Sequence, residues 1–360
     1  MKRAMQNAGI ALMAILFSLA AVEVYLRLYA PQAIYAIRNC YLGWCHLPGV
    51  SFVHGGETEE FVTHVQYNTH GLRDYEYTIE KPANIHRVLI FGDSFAEGLE
   101  VEMEDIHAKR LERMLDGCLS DHRVQVINFG VSAYDTAQEW WYFRTEGVRY
   151  QPDLVVVIWT GEAGSPFAKI VDGQPVFIEP SYTRAQVWSR NVKTFIKLHF
   201  HTMSFLFHGL GADQALVQFQ QAIARRPIRV NQYQIPMGSL PSLPFSEDWE
   251  TELAIFEDFL RVARLYSARL VVAARSSYEH RYLTESLKLH PIPGLITVDL
   301  QQVSEEEERQ YLFSKDGHWN SMGHEKAAGI LFHLIVSRNL LGLDQEGPSM
   351  KDLLLKCLAH

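Results

Sequence analysis

From residue 86 onward the chain alternates short, unbroken apolar runs with stretches of helical period. Arg87–Phe91 is a short apolar run, Asp153–Trp159 is continuously apolar, and Val124–Phe129, Arg269–Ala274 and Leu295–Leu300 are short apolar-rich stretches; all are too short for helices. Runs of that kind predict strands buried on both faces. Ile106–Leu115 repeats its apolar positions at helical spacing and stops at Gly117, Thr136–Glu146 reads as a second helix, and Ser321–Asn339 reads as a last one. Strands buried on both sides and separated by helices predict an α/β domain with a parallel sheet covered on each face. Upstream the rhythm differs. Ser51–Gly56 and Glu60–Tyr67 read as a short hairpin with Gly55-Gly56 at or near the turn, and Asn68–Asp74 as a tight loop. Between the third and fourth strands lie about 110 residues, far more than a plain crossover needs, so an insertion is expected there.

The first 30 residues form a separate pattern. Gly9–Val22 is apolar and follows Lys2 and Arg3. Two readings fit this leader. One is a signal peptide cleaved near Ser18-Leu-Ala20. The other, which we prefer, is an uncleaved anchor over residues 4–29, because from Ala4 the segment reaches the roughly 20 residues a bilayer needs. Lys2 and Arg3 stay inside under either reading, which places everything after about residue 31 outside the cytoplasm.

Composition sharpens rather than sets this picture. Over 360 residues, 48% are hydrophobic and 21% charged, which excludes a disordered or low-complexity chain. The net charge of −9 argues against a nucleic-acid partner, since phosphate selects basic surfaces. That average conceals a split: residues 1–30 carry +2 and the remainder −11. Within the remainder, Tyr182–Gln234 holds seven Lys/Arg against the single acid Asp213, with six Phe/Trp and three His. Amphipathic helices packed on the domain, a substrate-covering lid and a membrane-surface patch all fit that segment. Its histidines lack a carboxylate at ligand spacing, so no metal site is read there. Ser304–Arg309 reads as a solvated helix face. Of the four cysteines, Cys40 and Cys45 are near enough to close a small loop outside the cytoplasm. Cys118 and Cys357 are read as thiols.

Two short blocks offer chemistry. Gly92-Asp93-Ser94 directly follows the first strand of the parallel sheet. Ligands of such sheets bind beyond the carboxyl ends of strands, so Ser94 is placed as an exposed hydroxyl. A serine needs a base to become a nucleophile. Asp316-Gly-His318-Trp-Asn320, ahead of the last helix, offers one: an aspartate two residues before a histidine can orient the imidazole and stabilise its protonated form. His324, just inside that helix, is read as structural. No Gly-x-Ser-x-Gly elbow, phosphate-binding glycine loop or zincin histidine pair is present.

In order and spacing, Gly92-Asp93-Ser94, Asn128–Ala133, Pro152–Val157 and Asp316–Asn320 resemble the blocks of the SGNH (GDSL-type) hydrolase superfamily, over roughly residues 60–340. The preface resembles a bacterial membrane-anchored branch: an anchor, Tyr41–Trp44 with Pro48-Gly49, then Asn68–Asp74. The Asp-x-His-Trp-Asn block is similar to that of enzymes that acetylate or deacetylate exported polysaccharides. The resemblance implies a flavodoxin-like three-layer α/β/α sandwich. It divides the chain into an anchor or signal (1–30), a membrane-proximal region (31–84), a hydrolase-like domain (85–342) with a helical insertion at about 165–260, and a tail (343–360). It implies serine-dependent acyl-ester hydrolysis, or O-acetyl transfer, on O-acylated glycans or lipids, with no metal or organic cofactor. Ser94 would be the nucleophile, His318 the general base and Asp316 its orienting carboxylate. The oxyanion would be held by backbone N–H groups of Ser94 and the second block, with a side chain from the third. Two positions depart from the family pattern. Ala133 stands where the family has glycine, and Glu162 where it has the oxyanion asparagine. An ionised carboxylate only accepts hydrogen bonds and would repel an oxyanion. An impaired, non-catalytic binding component is therefore the competing reading.

Overall fold

The computed structural model describes residues 2–29, 37–55, 60–118, 123–161, 165–184, 186–188, 192, 195 and 247–342. The chain divides into two units, Met1–Arg38 with Tyr182–Pro244, and Asn39–Ser181 with Phe245–His360. In the first, α1 (Lys2–Tyr29) is one continuous helix. Its Met5–Leu26 stretch spans 22 residues at a mean hydropathy of 2.1, long and apolar enough to cross a membrane. Most of the basic aromatic segment 182–234, the tail 343–360, Cys118's side chain and Cys357 lie outside the described residues.

The remaining elements run β1 (Ile37–Cys40), β2 (Gly43–His46), β3 (Ser51–Gly55), β4 (Val62–Gln66), β5 (Ile85–Gly92), α2 (Ser94–Glu97), α3 (His107–Cys118), β6 (Arg123–Asn128), α4 (Thr136–Thr145), β7 (Leu154–Trp159), β8 (Ala168–Val171), β9 (Gln174–Phe177), α5 (Glu247–Leu265), β10 (Arg269–Ala274), α6 (Ser277–Leu289), β11 (Ile296–Asp299), α7 (Glu305–Glu308) and α8 (Ser321–Ser337). The strands β5, β6, β7, β10 and β11 form one parallel sheet in the order β11-β10-β7-β5-β6. Numbered within the sheet this is the doubly wound 2-1-3-4-5 order, whose switch point lies between β5 and β7.

Alternation along the strands builds two cores. Leu89, Phe91, Ile127, Val155, Val157, Leu270 and Val272 face one layer, packed by Trp140 and Phe143 of α4 and by Phe256 and Phe259 of α5. Val88, Ile90, Val126, Val156 and Val271 face the other, packed by Leu111 and Leu115 of α3 and by Leu331 and Ile335 of α8. Side chains of successive strand residues point to opposite faces, so continuously apolar strands demand both helix layers. The result is the expected three-layer α/β/α sandwich. Upstream, β3 and β4 pair antiparallel, and Cys40 and Cys45 are joined by a disulfide.

Candidate active site

Ser94 begins a single helical turn at the carboxyl end of β5, beside the switch point. The turn is fixed locally. Asp93 caps it by accepting from Phe95 N–H at 2.9 Å and takes a second bond from the Thr160 hydroxyl, beyond β7, at 3.1 Å. Gly92 is required here: a Cβ would meet the Ala96 Cβ at 2.7 Å and the Ile158 Cβ at 3.2 Å.

The second block arrives from the far end of the sequence. Asn320 caps α8 through Met322 and Gly323 N–H, and its amide holds the Gln310 and Leu312 carbonyls. Trp319 is fully buried and packs edge-on to Phe95 with ring centres 5.2 Å apart. His318 is thereby set between the other two residues. Its Nε2 lies 2.7 Å from Ser94 Oγ and its Nδ1 2.6 Å from Asp316 Oδ1. The three predicted residues thus form one hydrogen-bonded chain across 224 positions of sequence. Burial disfavours the imidazolium, but the Asp316 bond and the charges of Glu100, Asp316 and Asp93 outweigh it and raise the His318 pKa above the ordinary histidine value. The hydrogen bond from His318 holds the Asp316 carboxyl below its usual value. Chemically, such a chain can draw the proton from a hydroxyl and hold it on the imidazole.

Ala133 is the exposed residue of the otherwise largely buried loop after β6, with φ of +63°. That left-handed conformation favours glycine, so the departure from the family pattern is a strained one. Among the described residues, neither the Ser94 nor the Ala133 backbone N–H has a hydrogen-bond partner. Ala133→Gly keeps the N–H and should raise stability by about 1 kcal/mol. A denaturant midpoint that does not move, or falls, would contradict this. Glu162 lies outside the described residues.

Several residues that build the site carry no sequence signal of their own. Glu97 is buried, with one carboxylate oxygen taking the Tyr67 hydroxyl at 2.7 Å and lying 3.0 Å from His46 Nε2. The other takes the N–H and hydroxyl of Ser132, the neighbour of Ala133. Burial opposes its ionisation, but His46, Ser132 and Tyr67 prevail and hold its pKa at about 2. Glu60 accepts from the N–H groups of Ser314, Lys315 and Asp316, at 2.9–3.0 Å, and so anchors the loop that bears the histidine. Arg73 is fully buried and donates to the carbonyls of Glu97, Gly98 and Val101. Asp74 accepts from Asn128 N–H at 2.7 Å. The tight loop 68–74 therefore braces two of the site's loops. His324, read as structural, is buried against His107, with ring nitrogens 3.1 Å apart.

No family model and no curated protein sequence matches this chain. Several solved structures do. One is a two-domain esterase active on acetylated mannans, at 11% identity and a TM-score of 0.38, covering 74% of this chain and 53% of that one. A second is a GDSL-like lipase from Bacteroides thetaiotaomicron, at 11% identity and a TM-score of 0.33, covering 70% of this chain and 88% of that one. A third is a variant of an acetyl-xylooligosaccharide esterase from Geobacillus, at 10% identity and a TM-score of 0.37, covering 73% and 97%. These three solved proteins are, by description, a GDSL-like lipase and esterases of acetylated carbohydrate.

Proposed function

We propose that this chain is a membrane-anchored serine esterase of the SGNH type whose catalytic unit works outside the cytoplasm. The observation that supports this best is the Ser94–His318–Asp316 hydrogen-bonded chain at the switch point of a parallel sheet. Ser94 Oγ attacks the ester carbonyl carbon while His318 Nε2 takes its proton. The carbonyl oxygen becomes an oxyanion, held by the Ser94 and Ala133 N–H groups. The C–O bond to the alcohol breaks, His318 returns the proton to the leaving oxygen, and an acyl-serine remains. Water, deprotonated by the same imidazole, releases the acid and restores Ser94. Asp316 stays ionised and steadies the imidazolium throughout. A sugar hydroxyl in place of that water would make the same site an O-acetyltransferase.

The substrate class we propose is O-acylated, exported polysaccharide, on the strength of the Asp316–Asn320 block and the anchor. The full chain in detergent is to be incubated with a short acyl ester and with O-acetylated oligosaccharides. Acetate release from both is expected. No release from any acyl ester between pH 5 and 9 would overturn the reading.

Glu162 is the position that weighs against efficient catalysis. Oxyanion donors typically contribute about 100- to 1000-fold, and an ionised carboxylate in that place contributes nothing. Glu162→Asn should therefore raise turnover. An unchanged or lower rate would remove this account of the position.

A further inference from the structure

Two carboxylates, not one, converge on the Nδ1 edge of His318. Asp316 Oδ1 takes the short bond at 2.6 Å, and Glu100 Oε1 stands 3.4 Å from the same nitrogen. The single Nδ1–H is committed to Asp316, so Glu100 acts through charge rather than through a hydrogen bond of good geometry. Glu100 lies on the loop after α2, six residues beyond Ser94, and its side chain is 6% exposed. Its second oxygen, Oε2, is buried without a hydrogen-bond partner among the described residues. A carboxylate oxygen buried with no donor is costly, and native structures seldom keep one without a use. The imidazolium that forms during ester attack is the cation nearest to hand.

We propose that Glu100 is a positioning residue of the Ser94–His318–Asp316 chain, a second carboxylate that favours the protonated form of His318. This rests on the esterase reading for its consequence, though not for its test. The groups facing the pair are Asp316 on the same loop as His318, Asp93 beyond β5, Glu97 on α2, Arg73 and His54 from the upstream segment, and neutral His324 on α8. Burial pushes the Glu100 carboxyl up to about 7; His318 and the hydrogen bond from its own backbone N–H oppose the rise, and Asp316 and Glu97 add to it. Near neutral pH, Glu100 thus gives up its proton most readily when His318 is charged, and the two titrations are linked. Ester attack needs neutral His318, so the upward shift of its pKa moves the acid limb of kcat/KM to higher pH than an ordinary histidine would give.

The test is a titration of the His318 ring by NMR in the full, histidine-labelled chain in detergent, with His318→Gln assigning the signal. Glu100→Gln removes the charge at constant shape and should lower the His318 midpoint by about one pH unit. Glu100→Leu, as a second charge-free variant, should do the same, and Glu100→Asp should fall between it and wild type. The buried His107 signal reports that each variant is folded. Midpoints unchanged in both charge-free variants would overturn the proposal. The readout needs no turnover, so it stands apart from the esterase reading. Acetate release that persists with an unmoved midpoint would sink the role of Glu100 alone. A moved midpoint with no acetate release would sink the esterase reading alone.

Discussion

Ser94→Ala should lower ester hydrolysis by about 10,000-fold or more while leaving the fold intact, because the side chain is a single hydroxyl at the start of a capped turn. His318→Ala should cost a similar factor. Its imidazole hydrogen-bonds to Ser94 and Asp316, lies 3.4 Å from Glu100 and packs on the Phe95 ring. The decisive feature is non-additivity. If Ser94 and His318 act as one unit, the double variant should be no slower than the worse single variant. Losses that multiply would mean that the two residues work separately, and the 2.7 Å contact between them would then be incidental. Rates are to be measured on one acyl ester with wild type and the three variants side by side.

Lys109→Met should destabilise the α/β unit by about 3–5 kcal/mol, the range seen when one partner of a buried ion pair is removed. The Lys109 ammonium lies 2.6 Å from Asp74 Oδ1, and both side chains are at most 1% exposed. It also donates to the Val126 carbonyl at 2.7 Å and to the Tyr77 hydroxyl at 2.8 Å. Burial drives the Asp74 carboxyl up to about 6, and Lys109 is the main influence restraining that rise. Without the cation, Asp74 either protonates or stays as an uncompensated buried charge, and both outcomes cost stability. The pair also joins the loop 68–74 to α3 and β6, so the loss should spread to the site through Asp74 and Asn128. Denaturant unfolding of the full chain in detergent checks it. A change under about 1 kcal/mol, the usual range for a surface pair, would contradict the placement of this pair in the core.

The sheet was legible because its strands are unusual in sequence. Leu154–Trp159 is buried at every position, as expected of a short strand covered on both faces. Ser94, Asp316 and His318 were legible because short motifs sit beside element ends, where chemistry is usually placed. The braces were not. Glu60 holds Asp316 across 256 positions, and Tyr67 meets Glu97 across 30, with no periodicity linking either pair. An acid that binds backbone N–H groups looks in sequence like any surface acid. Glu97 and Glu100 follow the Gly-Asp-Ser block closely, yet both are buried, and the partners of the Glu97 carboxylate, His46, Tyr67 and Ser132, come from distant parts of the chain. The helix Glu247–Leu265 shows a third kind of concealment. Trp249, Leu253, Phe256, Leu260 and Ala263 recur at helical spacing and line one core face, but they stand at the end of a long stretch between strands that read as insertion.

Labelling with a fluorophosphonate, followed by peptide mass spectrometry of the full chain, tests the central claim most directly. Such a probe reacts with a serine whose proton is drawn off by a positioned base. The account predicts one adduct, on the peptide bearing Ser94, which disappears in Ser94→Ala and falls steeply in His318→Ala. No adduct between pH 5 and 9, or an adduct on another serine that persists in Ser94→Ala, would contradict it.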